Sequence, residues 1–114
     1  MPKRLLIAES LLLCGAIVAV IALMPGAPRF IVANQMSQVV SVTALWRNEM
    51  KDVGEIQPGN ETSFTVDDEA AMIFSVLHVD GSVERSKPIY FTSGTEVNAI
   101  VTDSGIHLSY DFES

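Results

Sequence analysis

Residues 70–85, AAMIFSVLHVDGSVER, decide the fold class of this chain. From Ala70 to Val79, apolar side chains stand on both parities of an extended segment: Met72, Phe74 and Val76 on one, Ile73, Leu77 and Val79 on the other. A central strand covered on both faces has this composition. Asp80-Gly81 then supplies the strongest hairpin signal in the chain, because glycine accepts the positive φ of a tight turn. Val83 to Phe91 returns, and Pro88 within it, lacking a backbone N–H, marks an edge or a bulge.

The same period of two extends to either side, punctuated by turn residues. Towards the N-terminus, Glu61 to Val66 turns Phe64 and Val66 inward and follows a turn at Pro58-Gly59-Asn60. Val39 to Arg47 alternates, with Val40, Val42, Ala44 and Trp46 on one face and Ser41, Thr43 and Arg47 on the other; Phe30 to Met36 is a further strand. Towards the C-terminus, Ser93-Gly94 leads into Thr95 to Thr102. Asp103-Ser104-Gly105 then leads into Ile106 to Phe112, where Ile106, Leu108, Tyr110 and Phe112 oppose His107, Ser109 and Asp111. About seven short strands with no second helix predict a mainly β fold, a small antiparallel β-sandwich. With its turn Ile56-Gln57-Pro58-Gly59-Asn60 before a strand, the arrangement resembles generic immunoglobulin-like or transthyretin-like sandwiches. That resemblance is architectural and implies no activity. The Cys-Trp-Cys core of antibody domains is absent, and Trp46 is a lone core aromatic.

The first 24 residues differ in composition from the rest. Leu5 to Met24 is 20 residues long, and a helix of that length spans roughly 30 Å, the thickness of a bilayer's hydrocarbon layer. Glu9 opposes insertion. A carboxylate at mid-bilayer costs about 2.5–3.5 kcal/mol, but Glu9 lies only about one turn inside the end. Eleven Leu, Ile and Val residues outweigh it, at roughly −0.3 to −0.6 kcal/mol each near the centre. Residues 1–24 are therefore expected to be a transmembrane anchor contacting membrane lipid. The α-amino group, Lys3 and Arg4 set its orientation by the positive-inside rule: N-terminus cytoplasmic, everything after Pro25 extracytoplasmic, which in a bacterial inner membrane means periplasmic.

Leu11 to Met24 also has the length of a signal-peptide core. Pro25-Gly26-Ala27 followed by Pro28 makes a poor cleavage site, and Leu13 before Cys14 does not suit a lipoprotein signal, so the uncleaved anchor is favoured. Either way residues 30–114 are exported. Residues 25–29 read as a short, stiff Pro/Gly linker that holds the domain against the membrane. The small residues Ala8, Gly15, Ala19 and Ala22 share a side of the helix, and ordinary transmembrane composition accounts for them.

From Pro25 onward five Lys and Arg stand against thirteen Asp and Glu, a formal balance of −8. Such a domain is repelled by nucleic-acid phosphates and anionic lipid, so nucleic-acid binding is excluded as an expectation. The single cysteine, Cys14, lies in the apolar segment, which rules out an intramolecular disulfide and a cysteine-based zinc site.

Candidate chemistry is sparse. His78 and His107 are the two histidines, and no nucleophile elbow accompanies them. His78 reads as a hydrogen-bonded residue at a strand end and His107 as a solvated one. Asp67-Asp68-Glu69 is a compact acidic turn without the further ligands or Gly spacing of a Ca²⁺ loop. Met36, Met50, His78 and His107 are the types that bind soft metals but show no grouped spacing. Asn60-Glu61-Thr62 matches a glycosylation sequon, as polar turns often do by chance. No catalytic residue, cofactor or metal site is assigned.

Arg47 to Asn60 reads as the longest irregular stretch, with exposed-looking Met50 and Val53 among charges. Partner contact is expected at Met50, Lys51, Asp52, Val53 and Glu55, or along an open sheet edge. These features together predict a membrane-anchored, non-enzymatic accessory or interaction module of an envelope complex, with a protein partner in or at the membrane. An exported metal- or ligand-binding sandwich is the alternative.

Overall fold

A computed structural model describes residues 26–111, and the predicted anchor and its orienting residues Lys3 and Arg4 lie outside the described residues. Nine strands form: β1 (Arg29–Asn34), β2 (Val40–Trp46), β3 (Glu49–Ile56), β4 (Glu61–Thr65), β5 (Ala70–Leu77), β6 (Val83–Arg85), β7 (Ile89–Phe91), β8 (Glu96–Thr102) and β9 (Gly105–Tyr110). They build two sheets. One has the order β4-β1-β8-β9; the other runs β3-β2-β5, with β6 and β7 in succession along the far side of β5. The fold is mainly β, without a helix among the described residues.

Both sheets bury the alternating face that the sequence prescribes. Val40, Val42 and Ala44 of β2 and Met72, Phe74 and Val76 of β5 meet Phe30 and Val32 of β1 and Val97, Ala99 and Val101 of β8 in one core. Phe30 stacks on Phe64 at 5.1 Å and presents edges to Phe74 at 6.1 Å and Phe91 at 5.0 Å, the last two across the gap between the sheets. β5 is central, as read. Leu77 at its end and Val79 in the loop beyond it are nevertheless exposed. The hairpin after it is a three-residue loop. His78 and Ser82 close it, Gly81 takes φ 88°, and the Asp80 carboxylate accepts from both the N–H and the hydroxyl of Ser82.

Three expectations are corrected. The sheets are not wholly antiparallel, because β1 pairs with β8 in parallel, Phe30 beside Val97. The returning segment after Asp80-Gly81 is two short strands. Pro88 interrupts it, and Ser86 bridges the break: its hydroxyl accepts from the Phe74 N–H at 2.8 Å and donates to the Lys87 carbonyl at 2.9 Å. The stretch from Arg47 to Asn60 is not irregular; most of it is β3, paired antiparallel with β2. Two features hid it. The β2–β3 turn uses Arg47 at φ 51°, where hairpins ordinarily signal themselves with Gly or Asn. Between Val42 and Thr43 the register shifts by one, so that Val53 and Gly54 bulge, and Gly54 adopts φ 100°. One extra residue inverts the parity of everything beyond it, which is how Val53 and Ile56 both pack on the core.

Asn34 is the buried polar residue that ties the loops of one end together. Its Nδ2 donates to the carbonyls of Gln38 and Ile56, each at 2.8 Å, and its Oδ1 accepts from the Met36 N–H at 2.9 Å. Its backbone binds Gly59 and Asn60. Asn34→Leu leaves two carbonyls and one N–H without partners, at about 1–3 kcal/mol for each buried group. Urea unfolding followed by Trp46 fluorescence should register a loss of about 3 kcal/mol or more. Ser86→Ala removes the acceptor of the buried Phe74 N–H and the donor to the Lys87 carbonyl. It should lower stability by about 1–3 kcal/mol and accelerate hydrogen exchange at Phe74 while leaving the amides of β8 protected.

Candidate interaction surface

The five residues singled out on β3 do not form one patch. Register assigns them to two faces. Met50 lies opposite Leu45, Asp52 opposite Thr43 and Glu55 opposite Ser41, all on the outer face of the five-stranded sheet. Lys51 lies opposite the buried Ala44 and so points to the core side, where its Nζ sits 5.9 Å from the centre of the Phe64 ring. Val53, in the bulge, is half-buried against the core. An inward-pointing lysine and a bulge are two of the devices by which natural edge strands resist further pairing. β3 is thus a guarded edge.

The outer face it borders is more apolar than the sequence suggested. Leu45 is paired with both Met50 and Ile73, and Tyr90 with Ala71, so that an apolar row crosses the sheet from β3 to β7. A second row joins Leu77 to Val83, its cross-strand partner. Exposure is high where the rows end: Met50 72 %, Tyr90 78 %, Val83 60 % and Leu77 46 %. Sequence reasoning found Met50 and missed Tyr90, Leu77 and Val83, because each was counted within a strand whose covered side depends on pairing.

At the end of the domain where the chain enters, the backbone is stitched in place. Gly94 donates to the Gly26 carbonyl at 2.8 Å, Val66 to that of Pro28 at 3.1 Å, and Arg29 to that of Thr95 at 3.0 Å. Residues 26–28, read as a spacer, are held in the domain. The acidic turn Asp67-Asp68-Glu69 lines an open cavity of about 540 Å³ at this end, with Arg47 and Ser93. Protein groups engage two of the three carboxylates. Asp68 pairs with Arg47 at 3.2 Å and accepts from the Glu69 N–H at 2.7 Å, and Glu69 accepts from the Thr92 hydroxyl at 2.6 Å.

The residues weighed for metal or acid–base chemistry are dispersed. His78, half-buried, faces Glu84 at 3.3 Å. His107, exposed, contacts the Ser104 and Thr102 hydroxyls at 3.0 and 3.1 Å. Met36 packs on the core and Met50 projects from β3. Among the described residues, no three His, Cys, Asp or Glu come together to hold a metal ion. Asn60, of the sequon, is exposed at the turn after β3. At Asp80 the hydrogen bonds from the Ser82 hydroxyl and N–H hold the carboxyl below the usual carboxylate range. The cause is local turn geometry.

Among the described residues no helix is long and apolar enough to cross a membrane, and the predicted span lies outside them. No family model matches the chain, and no curated protein matches it. Among solved structures, an NMR structure of a protein from Eubacterium rectale is similar at a TM-score of 0.57 and 12 % sequence identity, over 78 % of this chain and 92 % of that one. At that identity the likeness concerns the fold alone: a β-rich architecture of this kind recurs where the sequence does not.

Proposed function

We propose that this chain is a membrane-anchored, non-enzymatic interaction module, an accessory subunit or assembly factor of an envelope complex. In this reading residues 1–24 span the inner membrane with the N-terminus cytoplasmic, and the β domain stands on the periplasmic side as a sandwich of immunoglobulin-like or transthyretin-like type. The observation that carries the proposal is the outer face of the five-stranded sheet, where Met50, Tyr90, Leu77 and Val83 are exposed. They fall in two apolar rows separated by the polar row Asp52–Thr43–Ser75–Arg85, and exposed apolar side chains grouped on one face of a domain mark sites of association. The stitched entry at Gly26 and Pro28 adds to it. With the linker bound into the domain, an anchor ending at Met24 would hold the sandwich close to the bilayer and to whatever lies beside it. Two packed sheets joined by crossovers support this finer fold reading, with the parallel β1–β8 pair a departure from an all-antiparallel sandwich.

Topology and contact are tested together in intact cells. Ser104→Cys in a Cys14→Ser background places one exposed thiol on the β8–β9 turn. A membrane-impermeant maleimide should label it without lysis, and the labelled chain should sediment with membranes. A photocrosslinking amino acid at Met50 or Tyr90 should give a discrete protein adduct, whereas one at Asp103 should not. Labelling only after lysis, or a full-length chain that is freely soluble, overturns the anchor and its orientation. Equal adducts at all three positions, or none, overturn the outer face as the contact.

A further inference from the structure

The two sheets present four edges, and three of them are guarded among the described residues. β3 carries Lys51 pointing inward and the bulge at Val53–Gly54. β4 is short, begins with Glu61 and lies under the same lysine. The β6–β7 edge is broken at Ser86 and Pro88, and Glu84 points inward beside His78. Such interruptions keep the unpaired backbone of an edge from recruiting another strand. β9 has none. From Gly105 to Tyr110 it reads Gly-Ile-His-Leu-Ser-Tyr, without a charge, a proline or a bulge, and it pairs with β8 in unbroken register.

The direction of its free backbone groups follows from that register. Asp111 donates to the Glu96 carbonyl at 2.8 Å, so in the alternating antiparallel pattern Ser109, His107 and Gly105 also turn their backbone groups to β8. The N–H and C=O of Ile106 and Leu108 therefore point away from the sheet, and no described strand meets them. Beside them runs a groove of about 430 Å³ between β9 and the β6–β7 connection, lined by Glu84, Arg85, Lys87, Ile106, His107 and Leu108 among others. Farther along the same side, a second hollow of about 320 Å³ is lined by Tyr90, Phe91, Thr92, Thr95 and Tyr110.

The charge of the groove is unlike that of the domain. Arg29 and Arg47 have carboxylate partners and Lys51 has an aromatic one. Arg85 and Lys87 have no ion pair among the described residues, although twelve Asp and Glu lie between Gly26 and Asp111. Glu84, which shares the groove, faces His78. Two cations without an ion pair thus line the groove beside the one unguarded edge, Lys87 on the β6–β7 connection and Arg85 at the end of β6, where pairing with Ser75 sets it on the outer-face side. A second copy is a poor occupant, because each domain brings five cations and twelve carboxylates over these residues, a balance of −7, and like-charged bodies of this size repel.

We propose that β9 is a strand-acceptor site for an extended segment of a partner protein, one that alternates apolar residues with others that include a carboxylate. The segment adds to the four-stranded sheet through the N–H and C=O of Ile106 and Leu108, sets its carboxylate beside Arg85 and Lys87, and places an apolar side chain in the Tyr90–Tyr110 hollow. Backbone pairing supplies affinity and the groove supplies selectivity, as in other cases of strand addition. This assignment rests on reading the domain as an interaction module, but it concerns a different surface from the apolar outer face.

The test uses the full chain, isotope-labelled in detergent micelles, with blocked seven-residue peptides in which Val alternates with Glu and Thr. Hydrogen exchange at the Ile106 and Leu108 amides should slow at least ten-fold on saturation. A peptide with Lys in place of Glu, and one N-methylated at alternate residues so that it cannot pair, should each bind at least five-fold more weakly. The double variant Arg85→Glu/Lys87→Glu, at exposed positions, should prefer the Lys peptide to the Glu peptide. Unchanged exchange at these amides, protection at β3 instead, or equal affinity for the N-methylated peptide overturns the site. Protection that grows with protein concentration without peptide assigns the edge to a second copy and also overturns it. Loss of the β9 site with adducts retained at Met50 and Tyr90 removes this assignment and leaves the module; the reverse result removes the outer face alone.

Discussion

Phe30 is the contact on which the two sheets depend. It belongs to the strand that enters the domain first, is fully buried, and reaches across the gap to Phe74 and Phe91 while stacking on Phe64 within its own sheet. A fully buried aromatic side chain stabilises by about 1.5–3 kcal/mol through transfer alone, and favourable ring pairs add about 0.5–1.5 kcal/mol each. Its position in the topology matters as much as its area. β1 lies between β4 and β8, so the four-stranded sheet has no continuous interior until this segment is in place. A tether at the N-terminus would therefore pull on an interior strand. Because Gly26 and Pro28 are bonded to Gly94 and Val66, that pull would be shared with the loops after β7 and β4.

What the sequence made legible follows from which information is local. Alternation is local, and it located β2, β5, β8 and β9, grouping Val40, Val42 and Ala44 on the face that proves buried, whereas in β5, apolar on both parities, it did not say that only the Met72-Phe74-Val76 side is fully covered. Asp80-Gly81 announced its turn because glycine's φ 88° is a property of one residue. β3 was hidden where two local rules failed at once. Arg47 adopted a positive φ that its type disfavours, its guanidinium held by Asp68 and by the Glu69 carbonyl at 2.6 Å, and a bulge reversed the parity between Met50 and Ile56. The parallel pairing of β1 with β8 was beyond sequence reasoning for a different reason. Both strands alternate equally well, and nothing local records which neighbour each will take.

The candidate surface divides along the same line. Met50 could be found because an exposed methionine among charges stands out in the chain. Lys51, one residue on, looked equivalent and is not, since its parity sends it over Phe64. The neutrality of residues 105–110 was also present in the sequence. It acquires meaning only when β9 is known to end its sheet, because an uncharged strand in the interior is ordinary and an uncharged strand at an edge is exceptional. Asn34 is similar. An asparagine near a turn is unremarkable in sequence, and its role depends on carbonyls 4 and 22 residues away.

Strand direction constrains what can occupy an unguarded edge in a tethered protein. β9 is antiparallel to β8 and β8 parallel to β1, so the Tyr110 end of β9 lies at the end where the chain enters, beside Arg29 and Glu96. Two copies that paired β9 antiparallel would be related by a two-fold axis normal to the sheet. Their entry ends would then lie at opposite ends of the shared strand pair, on the order of 20 Å apart along it. Two anchors in one bilayer must instead bring both entry ends to the same side, with the symmetry axis along the membrane normal. Those two requirements are incompatible for a sandwich that stands upright on its anchor. Repulsion between acidic domains acts within a Debye length of about 8–10 Å, so it discourages close approach without prescribing orientation, whereas the proposed tether would prescribe orientation at any salt concentration. An extended segment from a different protein is bound by neither constraint, so an edge without charge, proline or bulge is compatible with the proposed anchor.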